Sequence, residues 1–256
     1  MAKVKTLILR APGTNCDVET VFAFEQAGSI VESAHINELV CREKLLSNYQ
    51  IMVIPGGFTY GDDISAGKIL ANELRLKLGE DIQRFVNDGR LILGICNGFQ
   101  VLVKARILPR LGDEKSQPLT LASNDSGKFE CCWVYLRVNR TSPCVFTRGI
   151  STMYLPVAHG EGKVVTELEI VDELNVVLYY ADQTGNIRAG YPHNPNGSMN
   201  NIAGICDASG RVLALMPHPE RFVRWTQHPR WVREPPRDCG DGLQIFVNAV
   251  EWAKTI

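Results

Sequence analysis

The stretch Leu91–Leu102, "LILGICNGFQVL", joins an apolar run to a new apolar pattern through Gly94-Ile95-Cys96-Asn97-Gly98. The apolar run Leu91-Ile92-Leu93, continued by Ile95 after Gly94, reads as a buried strand, and the pattern after Asn97 reads as a helix. A strand that bends this sharply into a helix crowds its backbone, so small neighbours are needed around the residue at the apex. Gly-x-Ser-x-Gly is the serine form of such an elbow, and here cysteine holds the apex. A thiol there sits at a helix N-terminus, where unpaired N–H groups and the positive dipole end favour a thiolate and an oxyanion. Cys96 is therefore a candidate nucleophile. A small buried thiol filling space is the competing reading.

Working outward, strands alternate with helical patterns through the first third of the chain. "KVKTLILR" and "SIVESAHI" read as strands, as does "YQIMVIPGG", closed by Pro55, Gly56 and Gly57. Helical spacing is expected over Asp17–Ala27, with Val18, Val21, Phe22 and Phe24 as its apolar set. It is expected again over "EDIQRFVNDG", with Ile82, Phe85 and Val86 inward and Gly89 ending it. This alternation predicts an α/β fold with a parallel sheet covered on both faces. The loops after Arg10, Ile54 and Ile95 should then line one edge, at the carboxyl ends of the strands. The second half is strand-rich: "FECCWVYLRV", "TMYLPVA", "NVVLYYA", "NIAGICD" and "RVLALMP" look extended. The last two form a hairpin around Ala208-Ser209-Gly210. "GDGLQIFVNAVEWAK" closes the chain as an amphipathic helix with Leu243, Phe246, Val247 and Val250 inward. Irregular stretches are expected near residues 109 to 128 and 224 to 240, within one domain carrying insertions.

Composition narrows the function classes. The chain has 256 residues, 45% of them hydrophobic, and a formal net charge of −1. No global field argues for a nucleic-acid or membrane partner. No apolar run approaches the ~20 residues of a membrane span, so a cytoplasmic protein is expected. The eight cysteines include no C-x-x-C pair. Adjacent Cys131 and Cys132 point to opposite faces of any strand, so no structural zinc pattern is read and reduced thiols are expected. No nucleotide machinery is legible either. In "GDDISAGKI" Gly61 and Gly67 enclose five residues where a P-loop has four, and Ile69 stands where Ser or Thr would bind Mg²⁺.

A nucleophilic thiol needs a base, and the base an orienting group. Among the five histidines, His218 stands in "LALMPHPER" after a strand. Pro217 and Pro219 keep that segment extended, so His218 and Glu220 share a face. A surface His–Glu pair is the plainer reading. Gly56 and Gly57 can turn backbone N–H groups outward as an oxyanion hole, completed by Asn97 N–H; a strand-ending turn is the alternative. "ERFVRWTQHPRWVREPPRD" carries five arginines and two tryptophans. It is either a docking surface or a loop whose Trp225 and Trp231 pack on the domain.

"LGICNGFQ" together with "PHPER" resembles the class I glutamine amidotransferases. "APGTNCD", "GGFTYGD", "AHGEGK", "NPNGSMNNIAGI" and "GDGLQIFVNAV" extend the resemblance, from residue 11 to 250, to the glutaminase subunits of phosphoribosylformylglycinamidine synthase. The resemblance implies one amidotransferase domain over residues 1–256, with a flavodoxin-like, doubly wound, mostly parallel sheet, helices on both faces and strand-rich insertions in the second half. It implies Cys96 as nucleophile, His218 as base and acid, and Glu220 as its orienter. It further implies Gly57 and Asn97 as oxyanion donors, with Gln100, His159, Gly160 and Glu161 helping to hold L-glutamine. No metal or cofactor is implied on this chain. ATP and Mg²⁺ are expected on a partner synthetase, which works with a small third subunit and converts formylglycinamide ribonucleotide in purine biosynthesis. Three positions depart from the split-form pattern: Ala11 for an aromatic, Ser65 for an arginine, and a longer stretch after Arg224. The intact Cys96, His218 and Glu220 argue against a non-catalytic subunit on the same fold, and "NPNGSMNNIAGI" against another amidotransferase. A Glu two residues after the His is not the usual arrangement of a cysteine peptidase.

Overall fold

The computed structural model describes residues 3–109 and 117–256. The first half runs β1 (Lys5–Arg10), α1 (Asp17–Gln26), β2 (Ile30–His35), α2 (Ile36–Val40), β3 (Ile51–Ile54), α3 (Lys68–Asn87), β4 (Leu91–Ile95) and α4 (Asn97–Lys104). The second half runs β5 (Leu119–Ser123), β6 (Glu130–Val138), β7 (Thr152–His159), β8 (Glu161–Thr166), α5 (Leu168–Val171), β9 (Asn175–Ala181), β10 (Ile202–Cys206), β11 (Val212–Leu215) and α6 (Leu243–Ala253).

Nine strands form one sheet in the order β2-β1-β3-β4-β11-β10-β9-β6-β7. The five from β2 to β11 are mutually parallel, and the rest continue the sheet antiparallel. From β1 the chain steps outward to β2, then back past β1 to β3 and on to β4. With right-handed crossovers, that reversal puts α1 on one face and α3 and α4 on the other. Strands β3, β4, β10 and β11 are buried along their whole length, as helices on both faces demand. Each fully buried Leu, Ile or Phe side chain contributes roughly 1.5–3 kcal/mol. α6 docks on α1 through the edge of Phe246 against Phe24, with ring centroids 5.0 Å apart.

Several expectations change. The helix expected over residues 80–89 is the second half of α3, which begins at Lys68. Val18 faces solvent, while Phe24 is buried. In α6, Leu243 and Val247 are only half-buried, and Ile245 and Ala249 share the inner face with Phe246 and Val250. Within the stretch expected to be irregular, residues 110–116 lie outside the described residues, but Leu119–Ser123 is a strand pairing with β8 in a two-stranded ladder. Its alternation was legible, with Leu119 and Leu121 buried and Thr120 exposed. No helix among the described residues is long and apolar enough to cross a membrane.

Candidate active site

Cys96 joins β4 to α4 with φ 51° and ψ −103°, a strained region for a side-chain-bearing residue. Its glycine neighbours make the bend possible. A Cβ on Gly98 would lie 2.0 Å from the Ile54 carbonyl oxygen, and one on Gly94 would lie 2.5 Å from Leu102 Cδ1. The thiol is 5% exposed.

His218 follows β11, the strand beside β4, so the two parallel strands deliver histidine and cysteine to the same edge. The free edge of β7 forms another wall: Pro156 O accepts the His218 backbone N–H at 2.8 Å, and Ala158 O stands 3.7 Å from Cys96 Sγ. Glu220 Oε1 lies 2.6 Å from His218 Nδ1. Both side chains are completely buried. The opposite ring nitrogen, Nε2, has no hydrogen-bond partner. Burial works against the imidazolium, yet the Glu220 carboxylate and then the Cys96 sulfur outweigh it. The His218 pKa therefore stands well above its ordinary value. Gly56 makes room for the ring, because a Cβ there would lie 2.8 Å from His218 Cε1.

Gly57 adopts φ 149° and bridges to Thr14. Phe58 N–H goes to Gly13 O and Gly56 O accepts from Asn15 and Cys16, which leaves the Gly57 N–H outside these bonds. Asn97 opens α4; Phe99 and Gln100 N–H groups reach the Cys96 carbonyl, whereas the N–H of Asn97 itself stands before any intrahelical acceptor. The Asn97 side chain is engaged elsewhere: Oδ1 accepts from Thr59 Oγ1 at 2.7 Å, and Nδ2 donates to Gln100 Oε1 at 2.8 Å. Gln100 Nε2 donates to Glu161 O at 2.6 Å, tying α4 to β8. Gly160 O accepts from Asn124 N–H. His159 is 3% exposed, and its pKa falls to about 4 through burial first and the charge of His218 second. The Ser65 departure is absorbed locally: Lys104 Nζ donates to Ser65 Oγ at 3.2 Å and to Ala66 O.

Residue-by-residue reading missed Cys16. Its thiol accepts from Arg221 Nη2 at 3.0 Å and lies 4.0 Å from His218 Nδ1. Cys16 Sγ, a His218 nitrogen and a Glu220 oxygen all fall within 4.8 Å of one another, the one such metal-competent grouping among the described residues. The 2.6 Å His218–Glu220 bond and the Arg221 cation already engage those atoms. The loop after β1 was expected at this edge, but 202 residues separate Cys16 from His218. The Arg/Trp-rich stretch divides. Trp225 is buried and stacks on His228 at 4.7 Å, whereas Trp231 is 47% exposed.

A family model for the CobB/CobQ-like glutamine amidotransferase domain matches residues 3–253. The "Phosphoribosylformylglycinamidine synthase subunit PurQ" of Dehalococcoides mccartyi is 60% identical over 257 residues, covering 100% of both chains. That of Methanococcus maripaludis is 40% identical, covering 97% of each. A chain in the "Structure of PurLQS from Thermotoga maritima" superposes with a TM-score of 0.73 at 30% identity, covering 98% of this chain and 99% of that one. A glutamine amidotransferase from Thermotoga maritima shares the fold, with a TM-score of 0.53 at 18% identity and 91% and 82% of the two chains covered. The chain belongs to the CobB/CobQ-like glutamine amidotransferase family, among the PurQ subunits of phosphoribosylformylglycinamidine synthase.

Proposed function

We propose that this chain is the glutamine amidotransferase subunit of phosphoribosylformylglycinamidine synthase, with residues 1–256 acting as one class I amidotransferase domain. Cys96, His218 and Glu220 are its triad. The observation that carries the reading is the strained Cys96 elbow beside a buried imidazole locked to a carboxylate at 2.6 Å. The raised His218 pKa means that its Nε2 already holds the proton given up by the Cys96 thiol, and the resulting thiolate attacks the side-chain amide carbon of glutamine. Gly57 and Asn97 N–H groups hold the tetrahedral oxyanion, an effect worth a few kcal/mol per donor. His218 then protonates the departing nitrogen, ammonia leaves, and a γ-glutamyl thioester remains. Water, deprotonated by His218, releases glutamate. Gln100, His159, Gly160 and Glu161 form the glutamine-holding wall.

Ammonia is the product passed on. Its acceptor, formylglycinamide ribonucleotide, is activated with ATP and Mg²⁺ on a partner synthetase, and a small third subunit completes the complex, in keeping with the PurLQS structure from Thermotoga maritima. The expected compartment is the cytoplasm. Glutaminase assays on wild type and Cys96→Ala, alone and with synthetase, test the reading, together with mass spectrometry after a reactive glutamine analogue. The expected result is loss of activity in the variant and one covalent adduct on Cys96. Adduct on Cys16, or wild-type protein inert even in the complex, overturns it.

A further inference from the structure

His159 ends β7 with its side chain buried. Nδ1 lies 3.1 Å from Asn124 Oδ1. The direction of that bond follows from Asn124. Its Nδ2 donates to the carbonyls of Lys128, at 2.9 Å, and His159, at 2.7 Å. The other amide atom is therefore the oxygen, and it also accepts the Gly162 N–H at 3.2 Å. An amide oxygen only accepts, so His159 Nδ1 must donate. With the ring uncharged at neutral pH, Nε2 carries a lone pair.

That lone pair is buried and without a partner. A buried acceptor left unmade costs about 1–3 kcal/mol, so the site calls for a donor. Its location says which. Ala158, the residue before, puts its carbonyl 3.7 Å from Cys96 Sγ, and His159 is close enough to feel the charge of His218. During attack the glutamine carbonyl oxygen turns to N–H donors. The amide nitrogen brings two N–H groups, and those need acceptors. A charged His218 is a donor and cannot serve.

We infer that the His159 Nε2 lone pair accepts a hydrogen bond from the glutamine side-chain nitrogen, both in the bound amide and in the departing ammonia. The inference rests on the glutaminase reading and adds the basis of amide selectivity. Glutamate would set a carboxylate lone pair against the Nε2 lone pair and be repelled, which favours product release. With no proton on Nε2, His159 also cannot protonate the ammonia it receives.

The test uses the complex reconstituted with the synthetase subunit. Hydrolysis of L-glutamine is compared with that of the γ-methyl ester of L-glutamate, which has no side-chain N–H. For His159→Ala, kcat/KM for glutamine should fall roughly 10- to 100-fold, the equivalent of one lost buried hydrogen bond, while the ester changes less than about threefold on the same scale. His159→Gln, which keeps an acceptor oxygen, should recover part of the glutamine rate. Equal losses on both substrates would mean packing alone and overturn the inference. ¹⁵N-histidine NMR of the wild type at pH 7 supplies an arm independent of turnover: Nδ1 protonated and Nε2 bare are expected, and the reverse tautomer overturns it. Cys96→Ala should abolish both hydrolyses; surviving turnover there would undo the glutaminase reading instead.

Discussion

At the residue scale, the site depends on what is missing from glycine and on what is paired with histidine. Gly98→Ala would push a methyl to 2.0 Å from the Ile54 carbonyl. Overpacking of this kind costs about 1–3 kcal/mol or more, and the urea midpoint should fall while the elbow shifts and glutaminase activity drops. Glu220 is the leading influence raising the His218 pKa against burial. Glu220→Gln should move the His218 titration downward in NMR and lower kcat/KM by about 10²–10⁴-fold, the usual worth of acid–base catalysis. The sign for stability follows. The folded pKa lies above the unfolded value near 6.5, so this pair's contribution is complete below pH 6.5 and fades as pH rises through the folded value. Much here was legible: Cys96 from two glycines, and the partnership of His218 with Glu220, though not its basis, since Pro219–Arg221 forms a 3-10 turn rather than the extended segment expected, and that turn carries Glu220 back to the imidazole. Cys16 and Arg221 were not, since a thiol facing a guanidinium across 205 residues leaves no local pattern.

At the element scale, periodicity predicted the parallel strands, the closing hairpin and α6, but it judged depth poorly. Val18 fits the apolar pattern of α1 and is exposed, because that helix lies on the sheet through Ala23 and Phe24. Phe246→Ala removes a fully buried ring packed edge-on against Phe24 and should cost about 3–5 kcal/mol in urea unfolding. The arginine-rich loop invites a paired comparison. Trp225 is walled by Phe222, His228 and the Arg237 guanidinium, so Trp225→Ala should lose a similar amount. Trp231→Ser should stay within roughly 0.5 kcal/mol. Equal losses for the two tryptophans would contradict this division. A test of docking through the loop therefore belongs at exposed Trp231, not at Trp225.

At the scale of the whole molecule, burial couples folding to pH through His159. Its pKa falls from 6.5 to about 4 on folding, so the folded state resists a proton that the unfolded chain accepts. Stability is present above pH 6.5 and is lost as pH falls through 6.5 toward 4, by roughly 3 kcal/mol for a shift of this size. The wild type should lose more stability than His159→Gln between pH 7 and pH 4.5 in urea titrations; parallel losses would show that His159 does not carry this dependence. By itself the sequence determined the strand–helix alternation of the first half, the elbow, the closing hairpin, the two-residue spacing of His218 and Glu220, and the family, since each is written in neighbouring residues. The tertiary structure alone decided that β11 inserts beside β4, that the free edge of β7 lies against the thiol, and that Asn124 meets the His159 ring. Those outcomes depend on strand order and on hydrogen bonds between residues far apart in the chain, and no local spacing encodes them.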